Sequence, residues 1–371
     1  MNEPIRVLCV FSTLDRGGAE SMCMNLYRNI DRSKVQFDFV KHTHSKGAFE
    51  DEIIALGGRI FEAPQYKLYN HIPYCLWWKK HLKDHKEHRI IHGHFFTISP
   101  IYFKIARSFM RKTIAHSHIV LDINNISFIG KHVKLRILKK IEKYSDYCFA
   151  CGREAGEWLF PHRKFKVLNN AIDTKAFIYN ENKRNYIREE LGIQGKFVLG
   201  HVGRFFTQKN HAFLIDIFNQ VHKRNPNSVL LLVGDGELRK QIEHKVESLG
   251  LKDDVIFTGV RSDIPDLNQA MDVFVFPSLF EGLGIVAVEA QAAGLHTICS
   301  DVVPHEVKLT DLVDFVSLND SAEEWANVIL KYNNGYAREN TTDIIKQKGY
   351  DIHTTAKQLQ RFYLKISERS K

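Results

Sequence analysis

Short apolar runs alternate with amphipathic stretches along most of the 371-residue chain. In the first half, "IRVLCVFS" reads as a buried strand and "AESMCMNLYRNI" as a helix with its apolar residues at helical spacing. "VQFDFVKH" is a second strand, and "FEDEIIALGG" is a helix closed by glycine. "RIIHGHF", "TIAHSHI" and "DYCFACG" supply further strands. This rhythm predicts an α/β fold with a doubly wound parallel sheet. It pauses in the polar stretch "NNAIDTKAFIYNENKRNYIREELGI", which reads as a linker. It resumes with strands in "KFVLGHVGRF", "SVLLLVGDG", "VIFTGV", "VFVFPS" and "HTICSD", separated by the helices "NHAFLIDIFNQVHKRN", "ELRKQIEHKVESLG" and "IPDLNQAM". Two Rossmann-like domains are therefore expected, over residues 1–173 and 174–351, facing a central cleft.

Candidate chemistry gathers in the second half, where loops follow the carboxyl ends of strands. Ligands of open parallel sheets bind there, and helix N-termini favour phosphate. Arg204 and Lys209 of "VGRFFTQKN" fall at such an edge. So do the glycines of "VGDGE", which let backbone amides approach a ligand closely. The segment "FEGLGIVAVEAQAAG" sets two glutamates, Glu281 and Glu289, among residues that otherwise read as core. An ionised carboxylate withdrawn from water costs several kcal/mol unless paired. With a helix beginning near Gly284, Glu281 is a loop residue, and Glu289 lies in the second helical turn, tilted toward the N-terminus. Both can reach one ligand above that helix end.

Charge separates the halves. Residues 1–175 hold 29 Lys+Arg against 17 Asp+Glu, while the rest holds 23 against 26. The basic half suits an anionic partner. Its basic helices, "CLWWKKHLKDHKEHR" and "KHVKLRILKKIEK", are solvated faces or a surface for anionic lipid, the first pairing Trp77 and Trp78 with lysines. No nucleic-acid motif is present. No apolar run is long enough to span a membrane, and the N-terminus reads as a strand and not a signal peptide, so a cytoplasmic protein is expected, peripheral on the inner membrane face where lipid holds it. Cys148 and Cys151 form a lone C-x-x-C in an apolar run, where an odd spacing separates the thiols onto opposite faces and predicts inert, buried cysteines.

The second half closely resembles the retaining glycosyltransferases of family 4, with the GT-B fold, and more narrowly those building bacterial capsule or exopolysaccharide. "VGRFFTQKNH", "LLLVGDGELR" and "VIFTGVRSDIPDLNQAMDVFVFPSLFEGLGIVAVEAQAAG" carry the likeness. "LDRGGAE" and "NNAID" extend it into the first half. The resemblance implies that Arg204 and Lys209 bind the donor diphosphate and stabilise the leaving group. It implies that Glu289 holds the ribose and that Glu281 lies beside the transferred sugar. Further donor contacts fall on Gly17, Gly18, Gly203, Gly234, Val260, Gly282, Leu283, Gly284 and Ile285. A histidine after the fifth strand usually meets the sugar or acceptor; His118 fits by spacing, with His116 as the alternative. The implied activity is metal-independent hexosyl transfer, from a UDP-sugar to a glycan or polyprenyl-linked acceptor, by a monomer without a cofactor. The final helix is expected to cross back onto the first domain. A nucleotide-sugar 2-epimerase and a catalytically silent binding partner are alternatives of the same architecture. The pairs "HGH" at 92–94 and "HSH" at 116–118 could instead converge on zinc, although an arginine-lysine clamp neutralises phosphate without metal.

Overall fold

The computed structural model describes residues 3–95, 97–118, 137 and 139–368. The chain forms two compact units: Met1–Ala171 together with Asp351–Lys371, and Ile172–Tyr350. The basic segment "KHVKLRILKKIEK" lies largely outside the described residues.

The first unit holds seven strands, β1 (Ile5–Val10), β2 (Val35–Lys41), β3 (Ile60–Glu62), β4 (His88–Gly93), β5 (Lys112–Ser117), β6 (Tyr147–Ala150) and β7 (Lys166–Val167). They are all parallel, in the order β3-β2-β1-β4-β5-β6-β7. Central strands of such a sheet are covered on both faces, so they read as continuous apolar runs. One face carries Val7, Cys9, Phe37 and Phe39, covered by the helix Gly18–Asn29 and the final helix Ile352–Glu368 through Leu359, Tyr363 and Ile366. The other carries Leu8, Val10 and Ile91 under the helices His71–Asp84 and Ser99–Ser108. There Trp78 is fully buried and stacks on Tyr102 at 4.9 Å. Trp77 is half-buried and stacks on His81. Of the two tryptophans set beside lysines in the sequence, Trp78 is therefore core, and only Trp77 keeps an edge toward solvent. The apolar residues facing water near this helix are Leu68, Tyr69, Ile72 and Leu76.

A buried carboxylate marks the middle of the first sheet. Asp38 is paired with Arg6 at 2.6 Å, Arg59 at 2.7 Å and His88 at 2.8 Å. Burial alone raises its pKa, but the hydrogen bonds from Arg6, His88 and Arg59 outweigh it and hold the carboxyl far below the usual range.

The second unit holds β8 (Phe197–Val202), β9 (Ser228–Val233), β10 (Val255–Phe257), β11 (Val273–Phe276), β12 (His296–Ser300) and β13 (Val313–Val316). Its strands are parallel in the order β10-β9-β8-β11-β12-β13. Both sheets thus reverse their strand order once, between β1 and β4 in the first and between β8 and β11 in the second. Ligands bind at the carboxyl ends of the strands at such a reversal.

From Ile172 onward, the polar stretch read as a linker is part of this unit. It folds into the helix Glu181–Glu190, whose Asn180 side chain accepts from the Lys183 amide at 3.0 Å. Arg184 and Arg188 both bond Asp272, at 2.5 and 2.6 Å. The helix is fixed by charge pairs and the single apolar anchor Ile187, a stripe too thin to show as helical periodicity.

Candidate functional site

In the second unit, the loop after β8 begins at Gly203, whose amide bonds the Val233 carbonyl at 2.9 Å. The next loop packs directly on it. Gly234 has φ +138, and a Cβ there would run into the Gly203 carbonyl. Phe205 N–H donates to Asp235 O at 3.0 Å, and Leu238 N–H to Phe205 O at 3.1 Å. The loops after β8 and β9 therefore form one rigid ledge.

Arg204 projects from this ledge, exposed, its guanidinium 4.0 Å from the centre of the Phe206 ring. It has no carboxylate partner among the described residues. Lys209 ends the short turn Thr207–Lys209, and its ammonium lies 4.8 Å from the Phe276 ring. It bonds Glu281 Oε1 at 2.5 Å, with the two side chains 17% and 7% exposed. Two further bonds close this corner: Leu279 N–H to Gln208 O at 2.8 Å, and Gln208 Nε2 to Phe280 O at 2.9 Å.

The loop after β11 runs through Gly282 and the buried Leu283 to Gly284 at φ +84. A Cβ at Gly284 would stand 2.8 Å from the Phe276 ring, so this left-handed turn requires glycine on both counts. The helix Ile285–Ala292 starts there, and the amides of Ile285 and Val286 have no backbone acceptor among the described residues. Such free amides and the helix dipole favour an anion. Glu289 sits one turn along, half-buried, without a hydrogen bond to any described residue. Burial pushes its carboxyl up to about 8. The two glutamates are thus unlike: Glu281 is held by Lys209, while Glu289 has no partner among the described residues. Val260 is exposed in the loop after β10, at the edge of the sheet.

The remaining candidates belong to the first unit. Gly17 caps the helix Gly18–Asn29, and a Cβ at Gly18 would meet nothing within 4 Å. His116 is 1% exposed, whereas His118, just past β5, keeps an edge toward solvent. The two H-x-H pairs do meet. His92 Nε2 lies 3.2 Å from His116 Nδ1, and His94 Nδ1 lies 2.8 Å from His118 Nε2. Tyr363 of the final helix bonds His92 Nδ1 at 2.6 Å. Burial holds His92 and His118 down to about 3, and His94 and His116 well below the ordinary value, with neighbouring imidazoles lowering His92, His94 and His116 further. The four imidazoles are therefore neutral at pH 7.

Sequence reasoning missed the supporting residues Phe206, Phe276 and Gln208. The second glycine of "VGDGE", Gly236, was legible. A Cβ there would stand 2.6 Å from the Phe205 carbonyl.

Two parallel-sheet units of this strand order are the architecture of the GT-B glycosyltransferases. The chain belongs to the family described as glycosyl transferases group 1, whose model matches residues 183–349. It is 33% identical over 368 residues to the protein named as glycosyltransferase EpsF of Bacillus subtilis (strain 168), covering 96% of each chain. It is 24% identical over 366 residues to the capsular polysaccharide biosynthesis glycosyltransferase CapH of Staphylococcus aureus, covering 97% of this chain and 99% of that one. Among solved structures, HepE of Anabaena in complex with UDP and glucose superposes with a TM-score of 0.79 at 21% identity, over 97% of this chain and 99% of that one.

Proposed function

We propose that the chain moves a hexose, with retention of configuration as in family 4, from a UDP-sugar to a glycan or polyprenyl-linked acceptor in the assembly of a cell-surface polysaccharide. The observation that carries this reading is the second unit's strand-order reversal. Arg204 stands free, Lys209 is poised on Glu281, and Glu289 lies unpartnered beside a helix N-terminus. A nucleoside diphosphate supplies what each lacks: phosphate oxygens for the cations and amides, and ribose hydroxyls for Glu289. The UDP in the HepE complex and the role named for CapH support the choice of donor and pathway.

In this mechanism Arg204 and the helix amides stabilise charge on the departing diphosphate, the largest electrostatic contribution in such sites. Lys209 holds Glu281 in place beside the sugar and shares the diphosphate charge. The acceptor hydroxyl attacks from the face the diphosphate leaves, and a donor phosphate oxygen takes its proton. His118 is the first unit's candidate contact to sugar or acceptor. The diphosphate is neutralised by protein cations, so added magnesium or manganese changes turnover less than about twofold.

The test is a donor panel of UDP-, GDP- and ADP-sugars, read by thermal shift and by product analysis. UDP-sugars should raise Tm most and yield a retained glycoside. An epimerised sugar as the sole product, or binding without transfer to any acceptor, would overturn the assignment.

The same proposal includes an anionic membrane surface as a partner. Leu68, Tyr69, Ile72 and Leu76 are 88%, 83%, 70% and 57% exposed, amid the exposed Lys67, Lys79, Lys80 and Lys83. Apolar residues flanked by lysines suit a lipid interface. No described helix is long and apolar enough to cross a membrane. Liposomes rich in phosphatidylglycerol should retain the protein at low salt and release it at high salt. Charge reversal at Lys79, Lys80 and Lys83 should abolish retention. Equal binding to neutral vesicles would sink this part.

A further inference from the structure

The first unit carries a cluster that the transfer chemistry does not use. Cys9 projects from β1, and Cys23 faces it from the helix Gly18–Asn29, both on the same buried face. His94 lies just beyond the end of β4, the strand paired with β1. The two sulfurs and one ring nitrogen of His94 all lie within 4.8 Å of one another. His92, His94 and His116 form a second group of the same span, sharing His94.

We propose that Cys9, Cys23 and His94 bind a zinc ion. Zinc takes sulfur at about 2.3 Å and imidazole nitrogen at about 2.0 Å in a tetrahedron, which places ligand atoms about 3.3–3.8 Å apart. The observed span reaches that geometry by a contraction of about 1 Å.

His94 is already prepared for the role. Its Nδ1 lies 2.8 Å from His118 Nε2, and Nε2 is a buried nitrogen with no partner. When Nδ1–H donates to His118, Nε2 presents a lone pair, the arrangement by which protein partners orient a metal-binding imidazole. Phe11 stacks on the His94 ring at 4.4 Å, only 4° from parallel, and fixes its plane. His116 Nε2, likewise buried and without a partner among the described residues, belongs to the neighbouring group with His92 and His94.

The charge balance suits a core. Zinc displaces one proton from each thiol, two in all, and the two thiolates cancel the charge of the dication. The ion would tie β1, its following helix and the end of β4 into one cross-link, and hold His118 through His94. It acts on the architecture of the first unit and takes no part in neutralising the diphosphate.

The experiment uses the full chain, purified reduced and without chelator, with zinc counted by elemental mass spectrometry. About one equivalent per chain is expected, and Cys9→Ser and Cys23→Ser should each lower retained zinc by about tenfold or more. Cys299→Ser, a buried cysteine of the second unit, should keep it. Cobalt(II) added to the metal-free wild type should give a thiolate-to-metal charge-transfer band. Folded wild type that neither carries nor takes up zinc overturns the proposal. So does zinc that stays with both serine variants, which would place it on other histidines. Should the serine variants not fold, the wild-type cobalt spectrum decides: a complex without the thiolate band refutes the site.

Discussion

At the carboxyl end of β8, Arg204 stands exposed with no acid beside it among the described residues, and the carboxylate of Glu289 has no donor among them. At the matching reversal of the first sheet, four imidazoles are packed against one another and against Phe11, all neutral. The strand order is shared, yet one sheet edge leaves charge unsatisfied while the other removes it. Unsatisfied charge at a fixed edge is what a charged ligand completes, because the donors need no reorganisation when it arrives. A neutral, self-paired edge suits a polar but uncharged group, such as a sugar or acceptor hydroxyl, or a metal that brings its own charge.

The sharpest test of this contrast is the clamp. Arg204→Ala should lower turnover by about 10²-fold or more and leave Tm unchanged, since its guanidinium pairs with no acid. Lys209→Ala should match that loss and also lower Tm, because it strands Glu281, only 7% exposed. Steady-state rates within threefold of wild type would remove the clamp from the mechanism.

A smaller effect is expected at Glu289. Glu289, pushed up to about 8, is largely protonated at pH 7, and each of its hydrogen bonds to a ribose hydroxyl is worth about 1 kcal/mol, so losing two in Glu289→Ala should weaken UDP by about tenfold or more in calorimetry. The unliganded variant should melt no earlier than wild type. Unchanged affinity with a clear drop in Tm would make Glu289 a structural carboxylate.

The subtlest test sets the two units against each other in pH. His81, in the first unit, is pushed down to about 3, by burial and then by His88 and His85. Its unfolded pKa is about 6.5, so its contribution is complete above that and is lost as pH falls toward 3. Glu289 is pushed up to about 8 by burial, against an unfolded value of about 4.3. Its contribution is complete below about 4.3 and is lost as pH rises toward 8. Between about pH 6.5 and pH 5, acid should therefore speed hydrogen exchange in β2 and β4 yet slow it in the helix Ile285–Ala292, after correction for intrinsic rates. Parallel changes in both units would refute the opposed titrations.

Much of the second unit was legible because its site is local. Arg204, Lys209, Gly284 and Glu289 fall within short strand-loop-helix units whose hydrophobic period changes at the loop. The expected helix start near Gly284 and its observed start at Ile285 differ by one residue. The fate of each glutamate was not legible. Lys209 and Glu281 are 72 residues apart, and only the adjacency of β8 and β11 brings them together. In the first unit, β3 and β7 span three and two residues, too short to show a period. The tryptophans misled because two adjacent indoles beside lysines look alike at a membrane and over a sheet; the packing partner Tyr102 decides which. Cys9 and Cys23 carried no spacing signal, since they meet His94 only through the pairing of β1 with β4.

The final helix has a consequence for how the protein is made. Residues 172–350 form their unit from one uninterrupted stretch, but the first unit must wait for Asp351 onward. During synthesis, the face carrying Phe37 and Phe39 lacks Leu359, Tyr363 and Ile366 until the whole of residues 172–350 has been made. The unit begun before its sister is therefore completed after it, and it passes the whole synthesis of that sister with an open apolar face, the interval in which a nascent chain most needs a chaperone.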